Sequence, residues 1–92
     1  MSSWQEAYRD LDPLGGEIRF LLEDHEDMIE ICYADGMVID LSYIEHWHSY
    51  SITVLSDDTR AAWQNPIEEV TVDEKADLPR MLGEMIRKHR SR

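Results

Sequence analysis

Met28-Ile29-Glu30-Ile31-Cys32-Tyr33-Ala34-Asp35-Gly36-Met37-Val38-Ile39-Asp40-Leu41-Ser42-Tyr43 decides the fold of this chain. Apolar side chains recur at every second position on both sides of Ala34-Asp35-Gly36. Successive strand residues face opposite ways, so each half reads as a half-buried strand and the whole as a hairpin. A two-residue Asp35-Gly36 loop would set Ile31 beside Asp40. A three-residue loop with Gly36 left-handed instead pairs Tyr33 with Met37, Ile31 with Ile39 and Ile29 with Leu41, gathering the apolar side chains on one face. A slip of one residue would expose them all, so the second register is expected. It carries one cost, because Glu30 then stands opposite Asp40.

Working outward, Glu17 to Leu22 alternates as a first strand, with Ile18, Phe20 and Leu22 on one side. Glu23-Asp24-His25-Glu26-Asp27 is a charged turn. Ser49 to Leu55 alternates again, and Asp57-Asp58 is a turn. Thr59 to Gln64 fits a strand carrying Trp63 or an irregular stretch. Asn65-Pro66 breaks it, and Ile67 to Val72 is a further strand.

The C-terminal helix has the clearest signal. Leu78, Met81, Leu82, Met85, Ile86 and His89 form one stripe at helical spacing, with Gly83 read on the other side. Asp77 is the expected N-cap, Pro79 fits the first turn, and Arg87, Lys88 and Arg90 suit the negative end of the helix dipole. At the other end Ser3-Trp4-Gln5-Glu6 has the form of a capping box, followed by Trp4, Ala7, Tyr8 and Leu11 on one side of a short helix. Asp12-Pro13 and Gly15-Gly16 end it. The expected fold is α+β over residues 1–92 as one domain. An antiparallel sheet of four to five strands carries the amphipathic C-terminal helix on one face and a short N-terminal helix.

Composition narrows the function classes. Hydrophobic residues make up 42% and charged residues 32%, a balance that favours a globular chain over a disordered one. No apolar run is long enough to span a bilayer and the N-terminus lacks the order of a signal peptide, so a cytoplasmic protein without a membrane partner is expected. The single cysteine, Cys32, rules out an intrachain disulfide. The net charge is −11, unevenly spread: residues 1–79 hold 19 acidic and 4 basic side chains, and residues 80–92 hold 1 and 5. That field repels nucleic acid and attracts basic proteins.

Phosphate-binding loops and paired-cysteine zinc patterns are absent from the sequence. Cys32, beside Glu30 and opposite Val38, is poorly placed to form a thiolate. Tyr43-Ile44-Glu45-His46-Trp47-His48-Ser49-Tyr50 is the most unusual segment. If extended, His46 and His48 would project from one side and with Glu45 or His25 could hold a metal, although no third ligand is fixed by spacing. Tyr43, Trp47 and Tyr50 instead suit a contact patch, or Trp47 and Tyr50 close the end of the core while the histidines face water. The acidic group Asp24, Glu26 and Asp27, with Glu30 and Asp40 on the solvent face, reads as a rim for a basic partner, with no evident pocket for acid–base catalysis. The rim and the aromatic segment are expected at opposed ends of the hairpin.

Small size, acidity, the expected α+β fold and the aromatic content are similar in general character to bacterial immunity and antitoxin proteins, though no motif is matched. That likeness implies a non-enzymatic domain, needing no cofactor, that inhibits a basic protein. Self-association through a sheet face or edge, giving a homo-oligomer, is the second expectation. A metal-binding or enzymatic module using His46 and His48 is the third.

Overall fold

The computed structural model describes residues 3–91. Its sheet is a five-stranded antiparallel meander, ordered β1 (Glu17–Phe20), β2 (Ile29–Cys32), β3 (Val38–Ile44), β4 (Ser49–Leu55), β5 (Glu68–Val72). Two α-helices, α1 (Arg60–Gln64) and α2 (Leu78–Arg90), and short 3₁₀ turns complete the α+β fold.

The hairpin adopts the register that the apolar pattern demands. Ile29 pairs with Leu41, Glu30 with Asp40, Ile31 with Ile39 and Cys32 with Val38. The loop closes as a three-residue turn, with the Tyr33 N–H donating to the Met37 carbonyl at 3.0 Å and Gly36 left-handed at φ 99°. Gly16 is required for a different reason. A Cβ there would lie 2.7 Å from both Ile31 Cγ2 and the Tyr33 ring, whose hydroxyl donates to the Pro13 carbonyl at 2.7 Å.

The main core lies between the sheet and α2. Ile29, Ile31, Ile39, Leu41, Ile52 and Val54 from the strands meet Leu78, Leu82, Met85 and Ile86 from α2, nearly all with no exposure. Each such side chain contributes roughly 1.5–3 kcal/mol by leaving water. Met81 and His89 sit at the half-buried margin of the stripe. The helix end is tied to the sheet by charge. Arg90 donates to Asp35 at 2.8 Å and lies 4.1 Å over the Tyr33 ring, while Lys88 and His89 reach Glu68. Arg92, the last base of the tail, lies outside the described residues.

Several expectations are corrected. The first strand ends at Phe20, so Leu22 lies beyond it and is 59% exposed. Trp4–Tyr8 is a 3₁₀ helix, and Ser3 accepts from the Gln5 N–H because the Glu6 N–H is taken by the Ser3 carbonyl. Asp77 stands at the N-cap of α2 without capping it. A preceding 3₁₀ turn, Lys75–Asp77, holds its backbone helical and its carboxylate lies 3.6 Å from Arg80. Gly83 does lie on the side of α2 away from the stripe, yet it is buried there under Arg87 and Leu11, whose Nη1 and Cδ1 lie 3.2 and 3.6 Å from the Cβ a larger residue would add. The open segment at Thr59 becomes α1, capped by the Thr59 hydroxyl accepting from the Ala62 N–H at 3.2 Å. Its Ala62 covers Val38, Leu55 and half-buried Cys32, giving the outer sheet face a small core of its own.

Candidate functional site

Successive turns of an antiparallel meander alternate between the two ends of the sheet. The β1–β2 and β3–β4 connections therefore share an end, which overturns the expectation that the acidic rim and the aromatic segment are opposed. The Tyr43 N–H donates to the His25 carbonyl at 2.8 Å and joins the two turns directly. Between them opens a cleft of about 850 Å³, lined by Leu22, Asp24, His25, Glu26, Asp27, Tyr43, Ile44, Glu45, His46 and His48. The expectation of no pocket near the acidic turn is likewise wrong, because a neighbouring turn supplies the second wall.

The wall from β3–β4 is compact. Glu45–Trp47 is a 3₁₀ turn closed by the His48 N–H donating to the Glu45 carbonyl at 3.2 Å, with His48 left-handed at φ 50°. The segment is therefore not extended, and His46 and His48 do not project from one side of a strand. Among the described residues no group of three or more His, Cys, Asp or Glu side chains is arranged to hold a metal ion.

The aromatic residues divide. Tyr50 is 6% exposed and joins the core, with its ring centroid 5.1 Å from that of Tyr43. Trp47 is 65% exposed, so it closes no part of the core. Of the two alternatives for Trp47 this excludes closure of the core, because the residue sits in a tight turn, where the inward alternation of a strand stops.

The acidic wall is held by a polar network. Asp24, left-handed at φ 54°, accepts from the Tyr50 hydroxyl at 2.7 Å and from Lys75 Nζ at 3.0 Å. Lys75 also donates to Glu23 at 2.7 Å. Burial works against the Asp24 carboxylate, but the bonds from Tyr50 and Lys75 outweigh it and hold its pKa below the usual range. Burial, reinforced by the Asp24 carboxylate, pushes the Tyr50 hydroxyl up to about 12. The Lys75 pKa is raised, chiefly by its bond to Glu23. Asp24 is thus a fixed anion near neutral pH, whereas Glu26 and Asp27 are exposed at the mouth.

Of the candidate residues, the cleft gathers Asp24, Glu26, Asp27, Tyr43, His46 and His48, together with His25 and Glu45, and it adds Leu22 and Ile44; Trp47 and Tyr50 are not in its lining. Glu30 and Asp40 belong to the outer sheet face instead. Asp40 is 2% exposed, not on an open rim as expected: it is flanked by Glu30 and Thr53 on neighbouring strands and bonded by the Ser42 hydroxyl. Burial lifts its pKa to about 6, against the Ser42 bond and with help from Asp27 and Glu30. Cys32 donates to Glu30 at 3.4 Å, and burial together with that carboxylate raises its thiol pKa, so it is a poor nucleophile.

Comparison with protein-family models, with curated proteins and with solved structures finds no match.

Proposed function

We propose that the chain binds a basic protein in the cleft between the β1–β2 and β3–β4 turns, acting as an inhibitor or mask in the manner of immunity and antitoxin proteins. One observation carries the reading. Among the described residues, the cleft is lined by four carboxylate residues, Asp24, Glu26, Asp27 and Glu45, and by no lysine or arginine. A concave surface rich in carboxylates, on a chain of net charge −11, attracts a cationic surface from beyond contact distance, although Lys75 offsets the charge of Asp24. Trp47 at 65% exposure and Leu22 at 59% supply apolar contact beside it. A large aromatic with a polar handle, carried on the 3₁₀ turn that forms one wall of the cleft, suits an interface. Charge at the cleft governs how fast the partner arrives, and the apolar contacts govern how long it stays.

The test is capture from the native host followed by mass spectrometry, using the natural chain and a Glu26→Lys/Asp27→Lys variant side by side. Both side chains are exposed and, among the described residues, neither makes a hydrogen bond or ion pair, so the variant is expected to keep its fold. Basic proteins retained by the natural chain and lost by the variant support the reading. A partner of neutral or acidic charge, or one retained equally by both, overturns it. Loss of a captured enzyme's activity in the complex then separates inhibition from simple binding.

A further inference from the structure

The β1 edge of the sheet carries a self-complementary set of groups. β1 and β5 are the edge strands. On β1, the Leu21 N–H continues the ladder by donating to the Met28 carbonyl at 2.8 Å, in the same register that pairs Arg19 with Glu30 and Glu17 with Cys32. Antiparallel bonding alternates along a strand, so the odd-numbered residues face β2 and the N–H and C=O of Ile18 and Phe20 point away from the sheet. Among the described residues these groups have no hydrogen-bond partner, and edge groups left so are a template for another strand.

The side chains specify which strand. Rotating a second copy by a two-fold axis through Ile18 sets Ile18 against Ile18, Glu17 against Arg19 of the other copy, and Arg19 against its Glu17. Both cross-strand pairs are of opposite charge, and they fall at the non-hydrogen-bonded positions where side chains approach most closely. The backbone pairs Ile18 with Ile18 and offers each Phe20 N–H to the other Gly16 carbonyl. Within one chain the Arg19 guanidinium is only loosely engaged, 3.7 Å from Glu17 and 3.8 Å from Glu30. Ile18 and Phe20, the apolar side chains of β1, are only partly buried, with the Trp4 ring 5.8 Å from that of Phe20, whereas the core residues of the central strands β3 and β4 have almost no exposure. The other edge lacks this complementarity, since β5 carries Glu68 and Glu69 and no base.

We infer that two copies of this chain associate through β1, antiparallel and two-fold about Ile18, into one continuous sheet. This surface is separate from the cleft and does not depend on it. The edge is four residues long, so the dimer is weak, and the charge of −11 on each copy opposes it. Added salt screens that repulsion and tightens the association.

Sedimentation equilibrium up to about 1 mM, the range in which a weak small interface is populated, is expected to show the 10.8 kDa mass rising toward twice that value. Amide exchange at Ile18 and Phe20 should slow as concentration rises. Arg19→Glu alone and Glu17→Arg alone each create like-charge pairs and should weaken self-association about tenfold or more. An equimolar mixture of the two variants restores every opposite-charge pair and should associate. A constant 10.8 kDa mass, a dimer that Arg19→Glu leaves intact, or a mixture that stays monomeric while the natural chain dimerises would each overturn the inference. Exchange at Ile18 and Phe20 in the natural chain decides the matter even if a variant unfolds.

Discussion

Replacing Asp40 by asparagine should stabilise the protein near neutral pH and leave it unchanged in acid. Asp40 sits in the central strand β3 at 2% exposure, opposite Glu30, and burial lifts its pKa from 3.8 to about 6. The folded state therefore holds the proton more tightly than the unfolded chain does. Below pH 3.8 the group is protonated in both states and costs nothing. As pH rises from there through about 6, ionising the buried carboxylate removes stability, and above that range the loss is constant. A shift of this size corresponds to about 3 kcal/mol at most. Solvent screening is slight because the side chain is covered. Asparagine keeps an oxygen for the Ser42 hydroxyl and offers an amide toward Glu30 in place of a like charge. The Asp40→Asn variant should thus gain about 1–3 kcal/mol at pH 7, raising the midpoint of thermal unfolding by about 5 °C or more. Urea unfolding of both chains from pH 3.5 to pH 8 measures it. The stability difference should open between pH 4 and pH 6 and then stay level. An equal difference at every pH, or a variant less stable at pH 7, would show that Asp40 is not held as a strained anion.

Three further outcomes follow from the same structure. Leu82→Ala should cost about 2–5 kcal/mol in chemical unfolding, because Leu82 is wholly buried between α2 and the sheet; an unmoved midpoint would mean the stripe is not core. Trp47→Ala should change stability by less than about 0.5 kcal/mol, since the side chain is exposed, yet speed dissociation of a captured partner in surface plasmon resonance; unchanged dissociation removes Trp47 from the interface. Random duplex and single-stranded DNA should not bind at 150 mM salt in gel shifts: Lys88 and Arg90 already pair with Glu68 and Asp35, and micromolar binding would refute the charge argument.

Most of the sheet was legible because its information is local. Period-two alternation and one glycine at positive φ were enough to place the β2–β3 register, and the apolar stripe of α2 placed its core face. The helix α1 was not legible, because Arg60–Gln64 is too short for a periodic signal and its only strong mark is the Thr59 cap. The site was half legible. Its acidic and histidine residues were named, but the cleft forms from two segments about twenty residues apart, and only the alternation of turns in a meander brings them together. The burial of Asp40 was hidden for a different reason. Alternation assigns a residue to a face, and it does not say that strand neighbours and α1 leave that face partly covered.

The claim that the cleft receives a cationic surface is tested most directly by titrating isotope-labelled protein with a lysine- and arginine-rich peptide and following backbone amide shifts. Perturbations should gather at residues 24–27 and 43–48 and shrink as salt is raised from low concentration to 150 mM. Shifts scattered over the acidic surface, or centred away from the two turns, would contradict it.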